Sequence, residues 1–302
     1  MDMTQNKCCI HGANLRRRRR RRRRRKILRS IIFSCSIIAV AVFVAVGSRM
    51  ITSGDGGTNR YDVEAGNNTY DNAVIENSKI SENNNIQNNQ SMLDDIMNST
   101  QYPKQLQELA LKNEEALEFV YDYPAEHVKE HTIDLTEEAS MDSVPLFVQW
   151  DKRWGYEKYS GNFFAASGCG PTTLSMVVVY LTHNRDASPL AVAKYSKEAG
   201  YSVDGSGSSW TLISEGCRHY GVKAKTVALD ESRMKAELDE GHPIVVNVGP
   251  GDFTDTGHFM VITGYDDEGF SINDPNSIEK SGKRWLFKNI SSQIRAVWSM
   301  YV

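Results

Sequence analysis

One cysteine of the sequence combines the features that make a thiol nucleophilic. Cys169 stands between Gly168 and Gly170, directly before Pro171 and an apolar helical run. Glycine permits a tight turn and the close approach of a substrate backbone, and proline suits the first turn of a helix. The thiol is therefore expected at a helix amino terminus, where free N–H groups and the helix dipole favour the reactive thiolate. The alternative is an ordinary buried cysteine that begins a core helix.

A histidine and an aspartate about ninety residues further on could supply the base and its orienting acid. His258 opens the apolar run HFMVITGY, a turn signal follows at residues 266–269, and the chain runs back to Asp274. With a three-residue loop, Tyr265 would pair with Gly269, and His258 and Asp274 would share one face of the sheet. The carboxylate could then orient the imidazole toward Cys169. A loop one residue longer or shorter would separate the two side chains, so this register is a requirement.

The remaining histidines and cysteines form no comparable set. Cys217 lies among helical apolar positions and is interpreted as core packing, and no paired Cys/His spacing indicates zinc. We therefore predict no metal and no cofactor. The other histidines are interpreted as structural or exposed: His11, His127, His131, His183, His219 and His242.

The elements that must position these residues follow an α+β order. Helical patterns come first, and strand patterns that suit an antiparallel sheet come later, without alternating βαβ units. The predicted helices cover Gly170–Leu181, Pro189–Ala199, Thr211–Tyr220 and Glu231–Glu240. The predicted strands cover Pro243–Val248, His258–Tyr265, Phe270–Asn273 and Ala296–Tyr301.

Four sequence blocks resemble a known family. They are QWDKRWG from Gln149, SGCGPTT around Cys169, GHFMVITGY around His258, and NDP around Asp274. Their order and content resemble the bacterial peptidases of cysteine peptidase family thirty-nine, which are papain-like relatives of bacteriocin leader-processing domains. The resemblance covers about Val144–Tyr301. Transporter-linked members carry an ATP-binding cassette and several membrane spans, which this sequence does not show, so leader processing is not implied.

The resemblance implies a papain-like fold in which Cys169 is the nucleophile, His258 the general base and Asp274 the group that orients it. It also implies that Gln149 donates to the oxyanion beside the Cys169 N–H, since a neutral amide can serve there. The alternative for Gln149 is a structural role in a turn. The segment 205–210 (GSGSSW) fits the family pattern and could border the cleft, or it could be a loop that caps the next helix.

The amino-terminal region is strongly basic, and the rest of the chain is acidic. Residues 1–49 carry 14 basic side chains and one acid, whereas the remainder carries 21 basic and 37 acidic ones. Residues 30–48 contain no charge, and twelve cations precede them from Arg16 to Arg29. This pattern predicts a cytoplasmic tail (1–29), a transmembrane anchor (30–48) and an extracellular remainder. A cleaved signal peptide is the alternative, and nucleic-acid binding is not expected because no base-reading element accompanies the arginines.

Two further segments separate this anchor from the predicted peptidase domain (144–302). Residues 49–100 are poor in aromatics, and ten of residues 67–98 are asparagine, which predicts a disordered stalk. Residues 101–143, called the neck below, show apolar residues at helical spacing between Pro103 and Pro124, which are expected to start and stop a helix.

Together these patterns predict a membrane-anchored extracellular cysteine peptidase acting on a peptide or protein substrate. A catalytically inactive module that binds peptides or cell-wall material on the same fold is one alternative. A cysteine acyltransferase is another. The sequence leaves the oligomeric state open.

Overall fold

A computed structural model of the chain describes residues 85–302. The chain divides into two units, residues 1–69 and 70–302, and only the second contains described residues. The predicted basic tail, the anchor and the stalk up to residue 84 lie outside them. Within residues 85–302, no helix is both long enough and apolar enough to cross a membrane.

The carboxy-terminal half is built on a six-stranded antiparallel sheet, and the predicted antiparallel sheet is thus confirmed. The six strands are β5 (Lys223–Thr226), β6 (Ile244–Val248), β7 (His258–Asp266), β8 (Gly269–Asn273), β9 (Arg284–Trp285) and β10 (Ile294–Tyr301). Their order in the sheet is β5-β10-β6-β7-β8-β9. The edge strand β5, with the polar sequence KAKT, was not predicted. Two small hairpins precede the sheet: β1 (Lys158–Tyr159) with β2 (Asn162–Phe163), and β3 (Ser202–Val203) with β4 (Gly207–Ser208).

Helices pack against both faces of this sheet, the helix Cys169–Thr182 against one and the helix Glu231–Asp239 against the other. The helix Cys169–Thr182, called the central helix below, is buried on nearly all sides, which accounts for its uniformly apolar sequence. The predicted helix Thr211–Tyr220 is instead a short α-helix followed by a 3₁₀ turn. The remaining helices of this half are Phe164–Ser167, Pro189–Glu198, Thr211–Ser214, Gly216–Tyr220 (3₁₀), Glu231–Asp239, Ile278–Ser281, Phe287–Ile290 and Ser291–Gln293 (3₁₀).

The hairpin β7–β8 reaches the required register by a route that differs from the predicted one. Its turn has two residues rather than three, so Asp266 pairs with Gly269 and Tyr265 with Phe270. A β-bulge at Thr263 then shifts the pairing by one residue, and Val261 lies opposite Asn273. The predicted loop is therefore wrong, but the extra residue in the bulge restores the predicted register at the end of the strands that carries His258 and Asp274.

The amino-terminal part of the described chain is a helical layer that extends further than expected. Residues 85–98 form a helix, so the stalk prediction is wrong for this stretch. Ile96 is fully buried in one apolar cluster with the neck, and Met92 and Leu93 pack against it. Because these three side chains recur at helical spacing, they give this Asn-rich segment an apolar stripe that offsets its ordering entropy.

The neck is a chain of short helices rather than one helix. The first helix starts after Pro103 as predicted, but it ends at Asn113, whose side chain accepts a hydrogen bond from the Glu115 N–H. Pro124 lies inside a later helix and does not end one. The helices of the neck are Lys104–Lys112, Glu114–Ala116 (3₁₀), Leu117–Tyr121, Tyr123–Glu126 and Thr136–Ser140.

Candidate active site

Cys169 is the first residue of the central helix, as predicted, and it is partly exposed. The two flanking glycines are needed for packing rather than for an unusual backbone conformation. A Cβ on Gly168 would lie 2.5 Å from the Phe164 ring, and one on Gly170 would lie 2.5 Å from Ser208 Oγ. The Cys169 backbone is therefore packed closely between the short helix Phe164–Ser167 and the hairpin β3–β4.

His258 and Asp274 form a buried pair. His258 Nε2 lies 2.7 Å from Asp274 Oδ1, and the two side chains are 7% and 0% exposed. The backbone N–H of Asn276 also donates to Asp274 Oδ1 at 2.8 Å. Since Nε2 faces the carboxylate, Nδ1 is the ring nitrogen left for Cys169.

Specific hydrogen bonds join the central helix to β7 next to the reactive side chains. Thr173 Oγ1, one helical turn after Cys169, donates to the Phe259 carbonyl at 3.1 Å. On the other side of β7, the buried Asn247 side chain donates to the His258 carbonyl at 3.3 Å. The first contact joins the central helix to β7 and the second joins β6 to β7, and sequence reasoning singled out neither Thr173 nor Asn247.

The electrostatics favour a thiolate–imidazolium pair. Burial opposes ionisation of the Cys169 thiol, but the hydrogen bond and charge of His258, with N–H groups of Phe259 and Gly170, hold the thiol pKa below its ordinary value. Burial also disfavours the charged imidazole, but the charge of Asp274 and the pairing with Cys169 raise the pKa of His258 to about 10. The two shifts widen the pH range in which both groups are ionised.

Gln149 is buried close to this pair, and its amide is engaged in the structure. Its Nε2 donates to the Ala165 carbonyl at 2.7 Å and to Asn276 Oδ1 at 3.3 Å, while its Oε1 is buried without a hydrogen-bond partner. Its backbone N–H donates to the Pro275 carbonyl at 2.7 Å. Gln149 therefore links the segment before Cys169 to the turn that carries Asp274. These contacts fit the structural alternative and leave the oxyanion role a prediction.

Two cavities form a cleft along this site. The first, of about 720 Å³, is lined by Cys169, by Asn247 and Phe259, and by most of the segment 205–210, which therefore borders the cleft. The second, of about 450 Å³, is lined by Gln149 and Asn276 and by neck side chains from the helix Lys104–Lys112. Both cavities share Asn162, Ala166 and Thr256. Cys169, the candidate nucleophile, thus lies in the wall of an extended groove.

The other candidate groups lie away from the cleft or are inert. Cys217 is fully buried, and burial raises its pKa to about 11, as expected of a packing cysteine. His183 ends the central helix in a left-handed conformation. Among residues 85–302, no group of three or more His, Cys, Asp or Glu side chains could hold a metal ion.

A cysteine at a helix start, a histidine beside it and a buried carboxylate behind the histidine define the class of cysteine-dependent acyl-transfer sites. Residues 141–302 match the model of the Peptidase_C39 like family, and the chain belongs to this family. No curated protein matches the chain.

Two solved structures are similar at low sequence identity. The peptidase domain of Streptococcus ComA, a bifunctional ABC transporter involved in a quorum-sensing pathway, is 20% identical, with a TM-score of 0.36. That match covers 45% of this chain and 90% of the other. A putative C39-like peptidase from Bacillus anthracis is 16% identical, with a TM-score of 0.33, over 53% of this chain and 95% of the other.

Proposed function

We propose that this protein is a cysteine peptidase that hydrolyses peptide bonds with Cys169, His258 and Asp274. The observation that carries the proposal is the buried His258–Asp274 pair beside a cysteine whose thiol pKa is lowered by that histidine. A cysteine kept only for packing needs no such partner, and Cys217 shows the opposite shift. Family membership supports a peptidase-like domain.

In the proposed reaction, the Cys169 thiolate attacks the carbonyl carbon of the scissile peptide bond. The imidazolium of His258 donates its Nδ1 proton to the departing amine, and a thioester remains on Cys169. A water molecule then gives a proton to the neutral imidazole and attacks the thioester, which releases the acid and restores the ion pair. Asp274 holds the ring through Nε2 in both steps.

The oxyanion formed in each step requires N–H donors near Cys169. The helix start provides the backbone N–H of Cys169, and Gln149 is the side chain that we propose as the second donor. For this role its amide must turn from the Ala165 carbonyl toward the cleft when substrate binds. Its unpartnered Oε1 supports this step, because the present orientation leaves one polar atom of the amide unsatisfied.

We further propose that the peptidase domain is extracellular and tethered by residues 30–48. The support is in the sequence: an uncharged apolar segment preceded by twelve cations and followed by an acidic remainder. The substrate would then be a peptide or protein outside the cell or in its wall.

A peptide-library digest in ¹⁸O-labelled water tests the proposed reaction. The full chain is expected to generate new carboxyl termini that carry ¹⁸O, because the thioester is resolved by water. Cys169→Ala and His258→Ala should each lower cleavage at least about a thousandfold, since removal of either member disables the set. Cys217→Ala is the matched cysteine control and should cleave like the unmodified chain.

Other results would replace the proposal. Peptides joined to an added amine, without ¹⁸O, would indicate an acyltransferase. Binding of peptides without cleavage, together with an unreactive Cys169 thiol, would indicate an inactive binding module. Cleavage that survives Cys169→Ala would reject the nucleophile.

A further inference from the structure

The turn that carries the catalytic acid is held by Gln149 and Trp150 of the matched family domain and also by two residues outside it. Residues 274–277 connect β8 to the short helix Ile278–Ser281, and Asn276 lies at their centre. Asn113 of the neck donates through Nδ2 to the Asn276 carbonyl at 2.9 Å and to Asn276 Oδ1 at 3.1 Å. The family match begins only at residue 141.

Glu115 of the neck holds the same turn from its other end. Its Oε2 accepts from the backbone N–H groups of Ile278 and Glu279, at 2.7 and 3.2 Å, and its Oε1 accepts from the Ser277 hydroxyl. Hydrogen bonds from N–H groups to a carboxylate are charge-assisted and are stronger than those to a neutral acceptor. Glu115 therefore satisfies two of the free N–H groups at the start of this short helix, and the Ser277 hydroxyl accepts from a third, that of Lys280.

Asn113 and Glu115 act as one unit. Asn113 Oδ1 accepts from the Glu115 N–H at 3.1 Å while its Nδ2 reaches Asn276, so both polar groups of one side chain are used. The surrounding neck packs in one apolar cluster with Phe163 and Ala165, just before the segment that presents Cys169. The neck thus supports both halves of the site.

The turn of residues 274–277 also orients the catalytic pair, His258 and Asp274. The Asn276 N–H and His258 Nε2 meet at the same oxygen, Asp274 Oδ1. A displaced Asn276 would therefore remove one of the two groups that orient this carboxylate. Because the other oxygen, Oδ2, has no hydrogen-bond partner, little else fixes the rotation of the carboxylate.

We propose that the neck is a required part of the catalytic unit, and that Asn113 and Glu115 are positioning residues that hold the Asp274 turn against His258. This inference rests on the proposed function, since it assigns the neck a role in the same Cys169–His258–Asp274 site. The neck differs in this respect from a spacer, which would keep the domain away from its attachment point without touching the site.

The test is the pH dependence of Cys169 alkylation by iodoacetamide in the full chain, followed by peptide mass spectrometry. The test variants are Asn113→Ser, Glu115→Gln and the double variant. Serine keeps the cap on the Glu115 N–H but cannot reach Asn276, and glutamine keeps an acceptor oxygen but loses the charge. Glu118→Gln is the matched control, because it makes the same charge change at an exposed neck position three residues away.

We expect the double variant to alkylate Cys169 about tenfold more slowly than the unmodified chain on the acidic limb, because a misplaced His258 raises the thiol pKa by about one unit. Loss of a nearby carboxylate would by charge alone lower that pKa, so the two effects have opposite signs. Glu118→Gln should retain the original profile. Near-ultraviolet circular dichroism of each variant should show native packing.

Two results separate the possible failures. If the double variant folds and its profile matches that of the unmodified chain, the positioning role is refuted while the proposed function stands. If Cys169 of the unmodified chain alkylates with a profile that His258→Ala does not change, the ion pair itself is absent and the proposed function fails with it. A double variant that loses native circular dichroism would show a structural role for the neck and would overturn the proposal of specific positioning. Each single variant is judged by the same two measurements, the alkylation profile and the circular dichroism spectrum.

Discussion

The substitution Asp274→Asn isolates the charge that holds the proton on His258. The side chain keeps its size, and its Oδ1 can still accept from His258 Nε2 and from the Asn276 N–H. At the observed 2.7 Å separation, the attraction between the two charges is about 6 kcal/mol at an effective dielectric constant near 20. A rise of the His258 pKa from 6.5 to about 10 corresponds to about 5 kcal/mol. The lost charge is therefore large enough to account for the raised pKa.

We expect the His258 pKa in Asp274→Asn to fall by about three units, to near 7, because the burial that disfavours the imidazolium remains. The measurement is a histidine NMR titration of the full chain, with the His258 signal assigned from His258→Gln. Asp267→Asn, in the exposed turn of the same hairpin, is the matched charge control and should leave the signal unchanged. A His258 pKa that stays above about 9 in Asp274→Asn would refute the reasoning.

The same substitution changes how stability depends on pH. A histidine pKa that is higher in the folded than in the unfolded chain contributes stability that is complete below about pH 6.5 and is lost as the pH rises through about 10. The free energy of unfolding should therefore fall between these values, by at most about 1.4 kcal/mol per pH unit from this group. Urea unfolding across this range should show a flatter dependence for Asp274→Asn. An equal slope in both chains would contradict the assignment.

Two further predictions concern the fold. Gly269 has a φ of 133°, and a Cβ there would lie 2.6 Å from the Trp285 carbonyl oxygen. Gly269→Ala should therefore lower the free energy of unfolding, measured in urea, by about 1–3 kcal/mol. Gly241→Ala, where a Cβ would have no neighbour within 4 Å, should lower it less, and equal losses in the two variants would show that the contact with Trp285 is relieved. Glu237 accepts from Lys225 and from Ser299, which hold its pKa at about 2, so its contribution is present above about pH 4.5 and is lost as the pH falls toward 2. Glu237→Gln should remove about 1 kcal/mol of stability at pH 7 and less at pH 2, as measured by urea unfolding at both values; a loss that is constant with pH would exclude the carboxylate as its source.

Local patterns were sufficient for the main elements of the peptidase domain. The glycine–cysteine–glycine–proline run predicted the helix start at Cys169, and an apolar run followed by turn residues predicted the hairpin that carries His258. These features depend on residues close in sequence. The two-residue turn and the bulge at Thr263 were not predicted, because a bulge depends on how a strand pairs with its neighbours and leaves no local signal in the sequence.

The environment of the candidate site could not be predicted in the same way. Asn276 follows directly after the NDP motif, so its position was visible, but its partners Asn113 and Gln149 lie 163 and 127 residues earlier in the chain. Hydrogen bonds over such separations depend on how the neck packs against the sheet. The helical character of residues 85–98 was likewise hidden by an asparagine-rich composition that predicts disorder.

The sequence by itself determined the candidate nucleophile, the histidine and carboxylate that could serve it, and the α+β order of the elements, because residue type, turn chemistry and periodicity are local properties. Only the tertiary structure decided that His258 Nε2 meets Asp274 Oδ1, that Gln149 bridges two segments of the site, and that the neck contacts the turn after Asp274. Those contacts join residues far apart in the chain, and they form only when the apolar clusters of the neck and the domain pack together.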